Sequence, residues 1–236
     1  MKKVLILSFI ILFLTITGCS KNSISFDNVV SLNYKNVSLL KDDMNDMIKE
    51  INSVNFGTNK AIDVLEEDKS PLIIEANKTK YEFIFADGDI CYKTFETPTS
   101  NYLCGKANDI ESDLDKLYST YTSENFDITF DNNYTKDDGT MVNYENTNQS
   151  IIIELNEEVS SLYIYKSDLD EDGNVISGDI IYQTGNIDGK IIIKTIPPET
   201  VPKMLIRIVN KYGVSFVYIP TYNGRTGEID FYSPLS

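Results

Sequence analysis

Leu40, Met44, Met47, Ile48, Ile51 and Val54 recur at intervals of three and four residues, with Lys41, Asp42, Asp43, Asn45 and Lys49 between them. That spacing predicts an amphipathic helix, with Ser38 as its N-cap and Gly57 past its end. Ahead of it, Ile24 to Tyr34 alternates loosely, as a strand does. Behind it, Asn59 to Asp68 reads as loop or short strand. The period then changes to two. Pro71 to Glu75 is a short apolar run, Asn77-Lys78-Thr79 a turn, and Tyr81, Phe83 and Phe85 alternate up to Asp87-Gly88. Asp-Gly between alternating runs predicts a hairpin, with Ile90, Tyr92 and Phe95 on the return strand and Asn101 to Gly105 as a further one. A second helical stripe follows in Ile110, Leu114, Leu117, Tyr118 and Tyr121. Asp109, Glu111, Asp113 and Asp115 crowd its start, where the helix dipole favours acids. Residues 26–123 are thus expected to form an α+β unit, an antiparallel sheet with two amphipathic helices.

From Phe126 the helical period is lost. Short strands are expected at Phe126–Phe130, Ile151–Leu155, Leu162–Tyr165, Asp179–Gln183, Lys190–Ile196, Lys203–Val209, Val214–Ile219 and Glu228–Tyr232, with Asn132 to Gln149 as a long loop. Their regular spacing predicts an all-β sandwich over residues 124–236. In strand count it resembles an immunoglobulin- or fibronectin-type domain. No Cys…Trp…Cys signature accompanies that likeness, and the chain has no tryptophan.

The N-terminus has its own pattern. Lys2-Lys3 precedes an apolar stretch from Val4 to Phe13, then Leu14-Thr15-Ile16-Thr17-Gly18-Cys19. A charged start, a short apolar run and a small residue before a cut site describe a secretory signal, and the run is short for a spanning helix of about 20 residues. With a cysteine straight after Gly18, the segment resembles the lipobox of bacterial membrane lipoproteins. The resemblance implies a signal peptide at residues 1–18, diacylglyceryl lipid on Cys19 and a chain held on the extracytoplasmic face of the cell membrane. Residues 19–25 would be a tether, of which Ser20 to Ser25 fully extended spans ~20 Å at roughly 3.3–3.6 Å per residue. Abundant Lys, Asn and Ile suggest a low-GC, Gram-positive source.

Composition narrows the chemistry. A net charge of −15 argues against nucleic acid or anionic lipid as a charge-driven partner, so membrane attachment falls to the lipid. A hydrophobic share of 42% with an aromatic share of 11% describes a folded chain, not a disordered tail. The absence of histidine removes Ser-His-Asp and Cys-His nucleophiles and the commonest zinc ligand. No Walker loop, dinucleotide fingerprint, G-x-S-x-G or S-x-x-K motif occurs.

Four groups remain. Cys91 and Cys104 fall on neighbouring expected strands, where they would form a disulfide or stay as buried free thiols. Asp168-Leu169-Asp170-Glu171-Asp172-Gly173-Asn174 matches the start of a calcium loop, with Asp168, Asp170, Asp172, Asn174 and Asp179 as the candidate ligands. Strand-like flanks exclude an EF-hand proper, and an acidic hairpin turn explains the same residues. Tyr212, Phe216, Tyr218, Tyr222, Phe231 and Tyr232, near Arg225, form either a recognition surface or ordinary sheet packing. Glu66-Glu67 and Glu157-Glu158 are the carboxylate pairs a glycan hydrolase would draw on. The expected function is a non-enzymatic binding or assembly module at the membrane. It would have no cofactor beyond possible calcium, and an envelope protein or peptide as partner. The alternatives are an envelope hydrolase using paired carboxylates and a solute-binding lipoprotein.

Overall fold

A computed structural model describes residues 25–62, 72–95, 101–107, 109–172, 174–196 and 203–233. Strands hold 57% of these residues and two helices hold 13%. The chain is therefore mostly β, which corrects the α+β class expected for its first part. The two periodic runs do wind into helices, α1 (Lys41–Ser53) and α2 (Ile110–Tyr121). Both are short, and the chain around them is strand. The expected Ser38 cap is also corrected. Helix α1 starts after Leu40 with no side-chain cap, and Ser38 lies in a strand with its hydroxyl donating to Asn33.

The chain divides into two compact units, Met1–Thr120 and Tyr121–Ser236. Among the described residues the first holds seven strands: β1 (Val29–Tyr34), β2 (Val37–Ser38), β3 (Thr58–Ala61), β4 (Leu72–Ala76), β5 (Thr79–Ala86), β6 (Asp89–Thr94) and β7 (Asn101–Lys106). They pair antiparallel in the order β2-β1-β4-β5-β6-β7-β3. Two-residue turns at Lys35-Asn36, Asn77-Lys78 and Asp87-Gly88 all take positive φ, as tight hairpins in a right-twisted sheet require. Phe26, Phe56, Phe83 and Tyr92 pack edge-on or tilted in the core, with Phe56 and Tyr92 centred 5.0 Å apart. Gly105 is required by close packing, because a Cβ there would lie 2.5 Å from Val54 Cγ1 and 2.7 Å from the Asn55 carbonyl oxygen.

The second unit is built on one hairpin. Strands β10 (Ser150–Leu169) and β11 (Val175–Lys194) each run for 20 residues. They absorb four of the strands expected separately, which corrects the immunoglobulin- or fibronectin-like layout of short strands. Asn156-Glu157-Glu158 and Thr184 to Asp188 have turn-like composition, but here they mark a bend. The register shifts between Leu155 and Val159, and the backbone takes positive φ at Asn186 and Gly189. A bulge bends a strand and increases its twist without ending it.

The two halves of the hairpin have different neighbours. In the near half, β8 (Phe126–Asp131) pairs with Ser150–Leu155 of β10, and β9 (Thr140–Asn143) lies parallel to Ile191–Lys194 of β11. Strand β9 falls inside the stretch expected to be a long loop. In the far half, β12 (Met204–Val209) pairs with Ser161–Lys166 of β10, followed outward by β13 (Ser215–Asn223) and β14 (Glu228–Tyr232). Ile151, Ile153 and Leu155 of the near half share one core with Leu162, Ile164, Ile206 and Ile208 of the far half. The sheet thus bends over its own core, consistent with a β-sandwich whose corner is a bulge.

Candidate functional site

The acidic loop caps the far end of the β10–β11 hairpin. Asp170 organises it. One carboxylate oxygen, Oδ1, accepts from the backbone N–H groups of Asp172 (3.0 Å) and Asn174 (2.7 Å), and Oδ2 accepts from the Asn174 side-chain amide at 3.0 Å. The Asp170 N–H in turn donates to the Asn174 carbonyl at 2.9 Å. Asp168 Oδ1 accepts from the N–H of Leu169 at 2.8 Å, and Asp179 sits along β11. Both Asp170 oxygens thus serve the turn, as an aspartate does in a tight reversal. Among the described residues, no group of three His, Cys, Asp or Glu side chains is placed to hold a metal ion. The expected ligand set is not brought to one point, and Gly173 lies outside the described residues.

Cys91 and Cys104 are direct cross-strand partners on β6 and β7. They are joined as a disulfide across a sequence separation of 13, and both are buried. Beside them, Asp89 pairs with Lys60 (2.6 Å) and Lys106 (2.7 Å). Lys106 and then Lys60 hold its carboxyl below the usual range.

Of the carboxylate pairs, Glu157-Glu158 lies within β10. Glu157 stands at the bulge, where it accepts from Lys211 Nζ and from Asn125 Nδ2. Lys211 first, then Asn125, keep its carboxyl below its ordinary value. A general acid working near neutral pH needs the opposite shift. Glu66-Glu67 lies outside the described residues, as does Cys19.

The C-terminal aromatics divide. Phe216 and Tyr218 pack edge-on against Phe126 in the core, and burial pushes the Tyr218 phenol up. Tyr212 stacks on Tyr121 with ring centres 4.3 Å apart. Only Tyr222 and Tyr232 of the group stand clearly exposed, at 50% and 59%. The turn between β13 and β14 is fixed internally, since Asn223 Oδ1 accepts from the N–H groups of Arg225 and Thr226.

Three polar arrangements had no sequence motif to reveal them. Asn210 is buried; its amide donates to the Tyr121 carbonyl at 2.7 Å, and its Oδ1 accepts from the Tyr212 and Val214 N–H groups. On the near half of the hairpin, Lys190 reaches Glu154 (2.8 Å) and Asp138 (3.1 Å), the Tyr134 hydroxyl donates to Asp138, and Lys194 donates to the Tyr134 carbonyl at 2.6 Å. Glu154, then Asp138, push the Lys190 ammonium up. The Tyr134 hydroxyl, then Lys190, hold Asp138 below its ordinary value. This network ties the segment leading into β9 onto the hairpin. In the first unit, the Tyr34 hydroxyl (2.7 Å) and Lys35 (2.7 Å) share Asp115. Burial, reinforced by Asp115, pushes the Tyr34 phenol up to about 12.

No protein-family model, curated protein or solved structure matches this chain.

Proposed function

We propose that this protein is a membrane lipoprotein, carried on the extracytoplasmic face by lipid on Cys19, and that it works there as a binding or assembly module for another envelope protein or peptide. The observation that carries the reading is Leu14-Thr15-Ile16-Thr17-Gly18-Cys19 behind a charged start and a short apolar run. Two acyl chains hold a chain at a membrane far better than one. A buried Cys91–Cys104 disulfide suits an oxidising compartment outside the cytoplasm. A chain without histidine lacks the commonest catalytic base. These features favour binding over catalysis.

The test is metabolic labelling. Bacterial cells expressing the full chain are fed an alkyne-tagged fatty acid, and the protein is read by gel fluorescence. Label is expected on the wild type, in the membrane fraction, and none on Cys19→Ala. An unlabelled wild type recovered from the cytosol with its first eighteen residues attached overturns the proposal. In the same preparation, Cys91 and Cys104 are expected to resist alkylation until a reductant is added to the denatured chain.

A further inference from the structure

Among the described residues, strands flank the far half of the β10–β11 hairpin on one side only. Strand β12 occupies the outer edge of β10 at Ser161–Lys166, while β9 reaches β11 only at Ile191–Lys194. Its approach stops at Lys190, whose carbonyl oxygen would lie 2.4 Å from a Cβ at Gly139. Among the described residues no strand pairs with the outer edge of β11 along Val175–Gly189. A row of backbone N–H and C=O groups is left there without a strand partner.

Folded proteins keep such edges short, or blunt them with lysine or proline. The other open edges among the described residues are short: β2 has 2 residues, β3 and β9 have 4, β14 has 5 and β8 has 6. The β11 edge is far longer, although its register with β10 shifts at three places. From Val175 to Gly189 it contains no lysine, arginine or proline, and it carries Ile176, Ile180, Ile181 and Ile187 among three glycines. Ile176 and Ile180 stand 44% and 53% exposed along it.

We propose that this edge docks an extended, cationic segment of a partner protein as an added strand, which deepens the binding-module reading above. Backbone pairing supplies the attachment, with alternate side chains seated along the edge. Charge selects the occupant. Between Ser160 and Gly189 the only cation is Lys166, against Asp168, Asp170, Glu171, Asp172, Asp179 and Asp188. A lysine- or arginine-bearing strand laid there meets that field favourably. A second copy of the chain does not. Antiparallel self-pairing centred between Gln183 and Thr184 sets Asp179 against Asp188, and like charges directly opposite one another destabilise a sheet.

The experiment uses the full chain in neutral detergent micelles, with backbone hydrogen exchange read by mass spectrometry. The probes are a short capped peptide alternating lysine and valine, and its glutamate–valine counterpart. The lysine probe is expected to slow exchange across Val175–Gly189, with affinity falling as salt rises. Substituting Ile176→Lys and Ile180→Lys together is expected to weaken that probe by about tenfold or more. Slow exchange at Ile191–Ile193 confirms that the variant is folded. Three results overturn the proposal: equal protection by the glutamate probe, protection confined to other segments, or edge amides already slow in the free chain because it self-associates. Failure of the edge is distinct from failure of the lipoprotein reading, because label on Cys19 is scored separately.

Discussion

The two halves of the β10–β11 hairpin are the same two strands in two situations. In the near half, Ile151-Ile152-Ile153 faces Ile191-Ile192-Ile193 in register, and all six side chains are buried. One face feeds the main core through Ile151, Ile153, Ile191 and Ile193, while Ile152 and Ile192 pack under Tyr134. In the far half, Leu162 and Ile164 still face the core, but Thr184 and Tyr182 opposite them are only half-buried, and most of Val175–Gly189 is exposed. Continuous apolar runs belong to strands covered on both faces, and alternating ones to strands covered on a single face. Coverage, not strand pairing alone, decides what each residue contributes.

The largest test of that contrast is truncation. Ile153→Ala and Ile191→Ala remove side chains with no exposed surface, and each is expected to cost about 2–5 kcal/mol. Ile180→Ala, on the open edge, is expected to change stability by less than about 0.5 kcal/mol. Urea unfolding of the three variants reads the difference. Equal costs would mean that the far half is covered in solution.

Next is the close approach that lets β9 cover the near half. At Gly139 a new Cβ meets the Lys190 backbone, which has no flexible end to move aside. Gly139→Ala is expected to loosen β9 from β11 at a cost of about 1–3 kcal/mol. Faster amide exchange at Ile191–Lys194 would show the near half becoming like the far half. Unchanged exchange there would remove Gly139 from the account.

Much of this organisation was legible in the chain. The triple-isoleucine runs, the Asp87-Gly88 and Asn77-Lys78 turns and both helical stripes fall where their periodicity puts them. What misled was composition at Asn156-Glu157-Glu158 and Thr184 to Asp188. Polar and glycine-bearing stretches look alike whether the chain reverses or merely bends, so two long strands read as four short ones. Whether a bend or a turn forms depends on what packs on either side, and that is a long-range property. The acidic loop reads two ways in the sequence. Alternating aspartates satisfy a calcium pattern and a self-bonded hairpin tip equally well, until the donors to Asp170 are known. Lys190, with Glu154 and Asp138, carried no local pattern, because its partners come from separate parts of the chain.

That network sets a pH dependence on the covered half. Asp138 titrates below its ordinary value of 3.8 when folded, so its contribution is complete above that value and is lost as the pH falls through the lower folded one. Acidification below about pH 4 is therefore expected to free the Tyr134 segment before the main core opens. Exchange or tyrosine fluorescence reads this, and Asp138→Asn is expected to show the loosening already at neutral pH. If wild type and variant behave alike over the whole range, Tyr134 is held by Lys194 and packing alone.

The smallest effect lies at the hairpin tip, the part of the far half farthest from any cover. Asp170→Ala removes the acceptor for Asp172, Asn174 and the Asn174 side chain. Exposed hydrogen bonds contribute roughly 0.5–1.5 kcal/mol each, but a tip that opens locally does not pass its loss to the global transition. The expected outcome is faster exchange from Leu169 to Val175 with the unfolding midpoint almost unchanged. Added calcium gives a sharp contrast at the same place. An aspartate that only shapes a turn leaves wild type and Asp170→Ala equally indifferent to millimolar calcium, whereas a ligand would make the wild type alone gain thermal stability. A gain confined to the wild type would restore Asp168, Asp170, Asp172, Asn174 and Asp179 as a cation site, and would require the tip to rearrange on binding.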